Sequence, residues 1–197
     1  LASIPGGPLV SAIGDYDGFL HDDPARHGRI HAPQIGTTTG LAVAGQAPRT
    51  MVRVGDSMLV TRDGGATWTK TGSQKGKRGQ VALSADGAVI LHAPERSKQV
   101  WRSNDGGATW TPVAGLAEAK LWPVADGVDA NVFYAYDDGA LLVSADGGAS
   151  FAPRASLPEG GSRLVRAVPG RAGDVWVGLK KGGLVRSVHA PDELLPV

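Results

Sequence analysis

The densest run of potentially reactive side chains is Gly14-Asp15-Tyr16-Asp17-Gly18-Phe19-Leu20-His21-Asp22-Asp23. Carboxylates held in a fixed frame give or take protons. The run has neither a helical nor a strand period, so it reads as a loop. Loops at the ends of strands carry chemistry more often than the strands do. Taken alone, Asp15 reads either as a catalytic carboxylate or as the former of an Asx-turn. Asp22 and Asp23 read as solvated or turn-capping groups. His21, His27 and His31 lie at spacings of 6 and 4 residues, which raises the question of a metal. They fall in a loop, where the helical i, i+4 ligand geometry does not apply, so they read as solvated or hydrogen-bonded. No metal and no cofactor are expected, and the scattered histidines support no Ser-His-Asp set.

The elements that must position this loop are short strands. Residues 1–10 are rich in Pro and Gly and read as a lead-in, with one short strand at 9–13. Residues 24–40 are further loop, ending in Gly36-Thr37-Thr38-Thr39-Gly40. From Leu41 the chain alternates β-prone runs with turn residues: 41–45, 51–55, 57–61 and 67–71, then 81–84, 89–93, 99–103 and 109–113. A third unit follows at 120–125, 132–136, 141–144 and 150–155, and a fourth begins at 163–168, 175–179 and 184–187. Two regions are therefore expected in a single domain: a lead-in strand and loop over 1–40, and repeated units over 41–197.

A turn sequence marks the repeat. Thr61-Arg62-Asp63-Gly64-Gly65-Ala66-Thr67-Trp68 returns as Ser103-Asn104-Asp105-Gly106-Gly107-Ala108-Thr109-Trp110, and again as Ser144-Ala145-Asp146-Gly147-Gly148-Ala149-Ser150-Phe151. Asp63, Asp105 and Asp146 are 42 and 41 residues apart. Four hairpin-linked strands in about 40 residues is the period of a β-propeller blade. The Asp side chain folds the turn by accepting backbone N–H groups. The glycines supply positive φ, and the aromatic starts the returning strand. Three copies of one residue at blade period read as fold elements, since a catalytic aspartate is normally singular. By register an aspartate is due at 189, where the chain has His189. The fourth unit is therefore expected to lack its returning strand, or to borrow 9–13 to complete itself.

Composition closes off other classes. The formal charge is +1, from 20 Lys and Arg against 19 Asp and Glu, and the basic residues are scattered. No phosphate-tracking surface is expected, so nucleic acid is not a partner. Lys75-Gly76-Lys77-Arg78 reads as a solvated loop, and the glycines are hairpin turns rather than a phosphate cradle. Cys is absent, so there is neither a disulfide framework nor a thiolate metal site. No apolar run reaches the ~18 residues of a membrane-spanning helix, and no membrane partner is expected. Leu1 is not a natural start, so any leader is expected to lie outside this sequence.

The Ser/Thr-x-Asp-Gly-Gly-x-Thr-Trp turn resembles the Asp-box (BNR-type) repeat of sialidases, sortilin-type receptors and several glycoside hydrolases. Longer segments sharpen the resemblance. Leu9-Val10-Ser11-Ala12-Ile13-Gly14-Asp15 with Gly18-Phe19 and His21-Asp22-Asp23 resembles the opening of the second propeller of xyloglucanases, glycoside hydrolase family 74. Also similar are Gly36 to Gly40, Val52-Arg53-Val54-Gly55, Val132-Phe133-Tyr134-Ala135-Tyr136-Asp137 and the run from Arg166 to Trp176. The match runs in order from about residue 8 to Ser187.

The resemblance implies an all-β fold of four-stranded antiparallel blades, about four of them here, as part of a seven-bladed propeller. It implies an inverting endo-β-1,4-glucanase acting on xyloglucan, with one catalytic aspartate from each of two propellers. The Gly-Asp-x-x-Gly-Phe context puts that aspartate at Asp15, as the acid rather than the base, with a raised pKa. Tyr16 and Trp122 are candidates for stacking on sugar rings. Trp68, Trp101, Trp110 and Trp176 sit on strand patterns and read as packing. The partners implied are the glucan and a first propeller lobe outside this sequence, and the location implied is secreted or periplasmic. Blade edges left open are expected to pair with a second copy. The family has a small residue where Asp17 stands, so a second carboxylate lies two residues from Asp15. It either perturbs Asp15 by like-charge repulsion or points away. The alternative function is a non-catalytic propeller module binding glycan or protein, or an inactive remnant.

Overall fold

The computed structural model describes residues 1–3, 7–72, 75–116, 121–137, 139–157, 161–179, 183–187 and 194–196; for 161–163 and 194–196 the backbone alone is described. All regular structure among them is β. The first sheet joins β1 (Ala2–Ser3), β2 (Leu9–Val10), β3 (Phe19–His21) and β4 (Arg29–Ile30). The second joins β5 (Gly40–Val43), β6 (Met51–Val54), β7 (Met58–Thr61) and β8 (Thr69–Lys70). The third joins β9 (Gln80–Leu83), β10 (Ile90–Ala93), β11 (Trp101–Ser103) and β12 (Thr111–Pro112). The fourth joins β13 (Val124–Ala125), β14 (Phe133–Asp137), β15 (Ala140–Ser144) and β16 (Ala152–Ser156), and the fifth β17 (Gly161–Ala167), β18 (Val175–Leu179), β19 (Leu184–Ser187) and β20 (Leu194–Pro196). Strands pair in chain order within every sheet, always antiparallel. The first strand of each sheet contacts the first strand of the next, so the five sheets stand as propeller blades around a common axis.

Blade packing follows from the period-2 alternation of a strand. On β6, Val52 and Val54 point to the third blade, where they meet Val81, Leu83, Ile90 and Trp110. Met51 points the other way and meets Val10 and Leu20 of the first blade. On β14, Phe133 and Ala135 pack with Leu91 and Val100 of the third blade, while Tyr134 and Tyr136 pack with Val165, Val175 and Val177 of the fifth. A central strand is therefore buried on both faces and reads as a continuous apolar run. Each fully buried Val or Leu contributes about 1.5–3 kcal/mol.

The blade number differs from the expected four or so: the described residues form five. The additional blade lies in residues 2–30. Its strands are only two or three residues long, too short to show a period. The last blade does not lack its returning strand. Leu194–Pro196 pairs with β19, Val185 opposite Pro196 and Ser187 opposite Leu194. It is an edge strand, where Pro is tolerated. Nor does 9–13 complete that blade, because Leu9–Val10 is already paired on both sides within the first sheet. His189, where the repeat was expected to fail, lies outside the described residues, as does Lys120; the strand expected over 120–125 is Val124–Ala125.

Chain direction sorts the loops into two sets. In every blade the turns between first and second, and between third and fourth, strands lie at one end. The turns between second and third strands, and the links to the next blade, lie at the other. The Asp63, Asp105 and Asp146 turns join β7–β8, β11–β12 and β15–β16 and occupy the first end. The Asp15 loop joins β2 to β3, and Trp122 lies in the link from β12 to β13, so both occupy the second.

Candidate functional site

The Asp15 loop is closed at its base by hydrogen bonds between its two stems. The Ser11 N–H donates to the Phe19 carbonyl at 2.8 Å, and the Phe19 N–H donates to Ser11 Oγ at 2.9 Å. Gly18 follows with φ +117°, and a Cβ there would lie 1.9 Å from the Ser11 carbonyl oxygen. Only Gly lets the stems close this tightly. Ile13, Gly14, Asp15 and Tyr16 form an exposed arch, while Asp17 and Gly18 are buried. Asp15 stands at its tip with no hydrogen-bond or ionic partner among the described residues, and Tyr16 beside it is 58% exposed.

Asp17 points away from Asp15, into the seam between the first two blades. It is 1% exposed and adopts φ +60°. Its Oδ2 accepts the Ile35 N–H at 2.8 Å and its Oδ1 accepts the Thr38 hydroxyl at 3.2 Å. Below it lies Arg53, fully buried on the face of β6 that carries Met51. The Arg53 guanidinium donates to the Pro33 carbonyl and stacks on Trp68 at 4.7 Å. Burial lowers its pKa to about 10, against the opposing field of Asp17. His31 packs edge-on against Trp68, and its Nε2 lies 2.9 Å from the Ser11 carbonyl oxygen. Burial lowers its pKa, with Arg53 adding to the effect, while the Ser11 bond and Asp17 oppose it. The link 31–39 also lies tight on the second blade. The Thr39 N–H donates to the Val54 carbonyl at 2.8 Å, and a Cβ on Gly55 would lie 2.0 Å from the Thr37 carbonyl oxygen.

The other candidates separate. Asp23 caps its own turn through the Ala25 N–H at 2.9 Å and pairs with Arg26 at 3.4 Å, and Asp22 is exposed. His21 is half-buried with Nδ1 3.4 Å from the Arg26 carbonyl oxygen, and His27 is exposed. No three His, Asp or Glu side chains among the described residues converge as metal ligands. Trp122 is 43% exposed at the Asp15 end. Trp110 is buried between blades, and Trp101 and Trp176 carry Lys75 and Arg186 over their rings.

At the opposite end the three repeated aspartates are each hydrogen-bonded through both oxygens. Asp63 Oδ1 accepts the Thr61 hydroxyl at 2.7 Å and the Thr67 N–H at 2.9 Å, and its Oδ2 accepts the Thr67 hydroxyl at 2.5 Å. Asp105 repeats this with Ser103 and Thr109, and Asp146 with Ser144 and Ser150. The Thr109 hydroxyl, with the Thr109 N–H and Ser103, lowers the Asp105 pKa to about 2. For Asp146 burial opposes, but the bonds from Ser150 and Ser144 prevail and leave it at about 2. Asp63 is lowered in the same way, Thr67 first. These carboxylates are committed to folding turns. A groove of about 700 Å³ lies at this end between the fourth and fifth blades, walled by Val132, Tyr134, Val143, Ala152 and Pro153. The Asp146 carboxylate at its edge is engaged through both oxygens by its own turn.

Sequence reading missed Arg53, His31 and Thr38 as the support beneath the Asp15 loop. The available signal was an Arg in the middle of the apolar run Met51-Val52-Arg53-Val54, because an interior charge needs a partner.

The chain is 36% identical over 215 residues to a xyloglucanase of Paenibacillus sp, a match covering 98% of this chain and 20% of that protein. Its fold superposes on the GH74 enzyme of Niastella koreensis with a TM-score of 0.91 at 36% identity, over 98% of this chain and 29% of that one. The chain belongs to glycoside hydrolase family 74. The GH74 xyloglucanase of Xanthomonas campestris agrees, with a TM-score of 0.82 at 32% identity over 96% of this chain and 30% of that one. No protein-family model matches the chain, so its place in GH74 rests on these relatives. It spans about a fifth of the length of the curated xyloglucanases it matches.

Proposed function

We propose that this chain forms part of one lobe of an inverting endo-β-1,4-glucanase acting on xyloglucan, and that Asp15 is one of its two catalytic carboxylates. An inverting glycosidase needs one carboxylic acid to protonate the leaving oxygen and one carboxylate to activate water, with the groups about 6.5–9.5 Å apart. Asp15 takes the acid role, and the partner carboxylate comes from a first propeller lobe outside this sequence. Tyr16 and Trp122, exposed at the same end, offer ring faces to the sugar. The three Asp-Gly-Gly turns are Asp-box (BNR-type) elements with no part in the chemistry. The enzyme works outside the cytoplasm, where its polymer substrate is, and open blade edges offer surfaces for a second copy.

The observation that carries this reading is Asp15 itself: an aspartate without a hydrogen-bond or ionic partner among the described residues, exposed at the tip of a loop closed by hydrogen bonds at its base, in a chain 36% identical to a xyloglucanase. The test is hydrolysis of xyloglucan by the full-length protein and by Asp15→Ala. Loss of general acid catalysis is expected to lower kcat by roughly 10²–10⁴-fold, with melting temperature unchanged. Equal rates in the two proteins would remove Asp15 from the mechanism. Xyloglucan binding without hydrolysis by the unmutated protein would favour a glycan-binding module instead.

A further inference from the structure

We propose that Asp17 is a positioning residue for Asp15, a buried anionic anchor that fixes the loop carrying it; this rests on the reading of Asp15 as a catalytic carboxylate. Among the described residues the loop has four hydrogen-bonded attachments, one of them between the Ser11 carbonyl oxygen and His31 Nε2 at 2.9 Å. Its stems close on each other through Ser11 and Phe19. The Gly18 carbonyl accepts the His31 N–H at 3.1 Å. Asp17 makes the fourth, and it reaches farthest along the link to the second blade, to the Ile35 N–H and the Thr38 hydroxyl.

Two further features mark Asp17 as an anchor rather than an incidental turn residue. It holds φ +60°, a conformation non-Gly residues seldom adopt. Strain of this kind persists where the surroundings over-determine it, and here two hydrogen bonds do so. Second, its charge answers Arg53. That guanidinium is fully buried, and its Nε and Nη1 have no hydrogen-bond partner among the described residues. A buried cation needs an anion nearby, and Asp17 is the carboxylate whose field acts on it. The carboxylate is thus tied to the 31–39 link by hydrogen bonds and to β6 by charge. Residues 12–16 remain as a short arch between fixed ends, with Asp15 on it. A displacement of about 1 Å at a reacting group can cost roughly a hundredfold in rate, so rigidity at this point bears directly on turnover.

The test compares Asp17→Ala, Asp17→Asn and Asp15→Ala in the full-length protein by amide hydrogen exchange and xyloglucan kinetics. Asp17→Ala is expected to speed exchange at residues 12–18 and at Ile35 by roughly tenfold or more, leaving Gly107 and Gly148 in the distant turns unchanged. It is expected to lower kcat by roughly 10–100-fold with KM nearly constant, the signature of misplacement rather than lost binding. Asp17→Asn keeps an acceptor for the Ile35 N–H and is expected to restore part of both. If Asp17→Ala does not fold, Asp17→Asn carries the same test, with faster exchange and lower kcat than the parent. Unchanged exchange overturns the proposal, as does faster exchange with unchanged kcat. Full hydrolysis in Asp15→Ala sinks the catalytic reading and the positioning role together. Full hydrolysis in Asp17→Ala alone sinks only the positioning role.

Discussion

The two ends of this propeller treat their aspartates in opposite ways. At one end Asp63, Asp105 and Asp146 sit in repeated turns, and each spends both oxygens on hydroxyls and N–H groups within four residues. At the other end Asp15 occurs once, on an exposed arch, with no hydrogen-bond or ionic partner among the described residues. Its neighbour Asp17 takes over the structural bonds. A carboxylate that folds a turn is not available to a substrate. A carboxylate left free must be held by something else. The turn end solves a local problem with local residues, and the Asp15 end draws on residues from three segments of the chain.

That contrast can be broken at its support first. Arg53→Ala removes a buried cation and leaves Asp17 as an uncompensated charge, a change expected to cost about 3–5 kcal/mol. Urea unfolding would read it as a lower midpoint at an unchanged m-value. A cost below ~1 kcal/mol would mean that Arg53 and Asp17 are not coupled. Ser103→Ala acts at the other end and on a smaller scale. The hydroxyl of Ser103 accepts the buried Gly107 N–H at 2.8 Å and donates to Asp105. Its removal is expected to cost about 1–3 kcal/mol while hydrolysis of xyloglucan stays at the parent level.

Acid titration gives the smallest and most general effect. Asp105 and Asp146 fall to about 2 in the folded chain, below the ~3.9 of an unfolded aspartate. A depressed folded pKa means stability present above about pH 4 and lost as pH falls toward 2. Replacing Asp105 with Asn is expected to flatten the fall in melting temperature over that window. An identical pH profile in the variant would show that the turn bonds carry no linkage.

The turn end was legible in the sequence because everything it needs is local. Ser103, Asp105, Gly107 and Thr109 lie within seven residues, and the pattern recurs. The central strands were legible for a related reason: burial on both faces leaves unbroken apolar runs such as Val132 to Tyr136. The first blade was not, because strands of two residues have no period and its seam with the second blade is partly polar. Asp15 was marked only by its Gly-Asp-x-x-Gly-Phe context. Its support was hidden because Asp17, His31, Thr38 and Arg53 are separated by up to 36 residues and meet only when two blades pack. The last strand was missed because Leu194–Pro196 joins the fifth blade without the Asp-Gly-Gly turn that announces its counterparts in the second to fourth blades.

The division of labour between the two ends is tested most directly by one paired measurement on the full-length protein: kcat on xyloglucan and melting temperature for Asp15→Ala beside Asp105→Ala. The account predicts crossed effects, with Asp15→Ala losing roughly 10²–10⁴-fold in kcat at an unchanged melting temperature, and Asp105→Ala melting lower with kcat intact. An active Asp15→Ala, or an Asp105→Ala that loses turnover without losing stability, would contradict it.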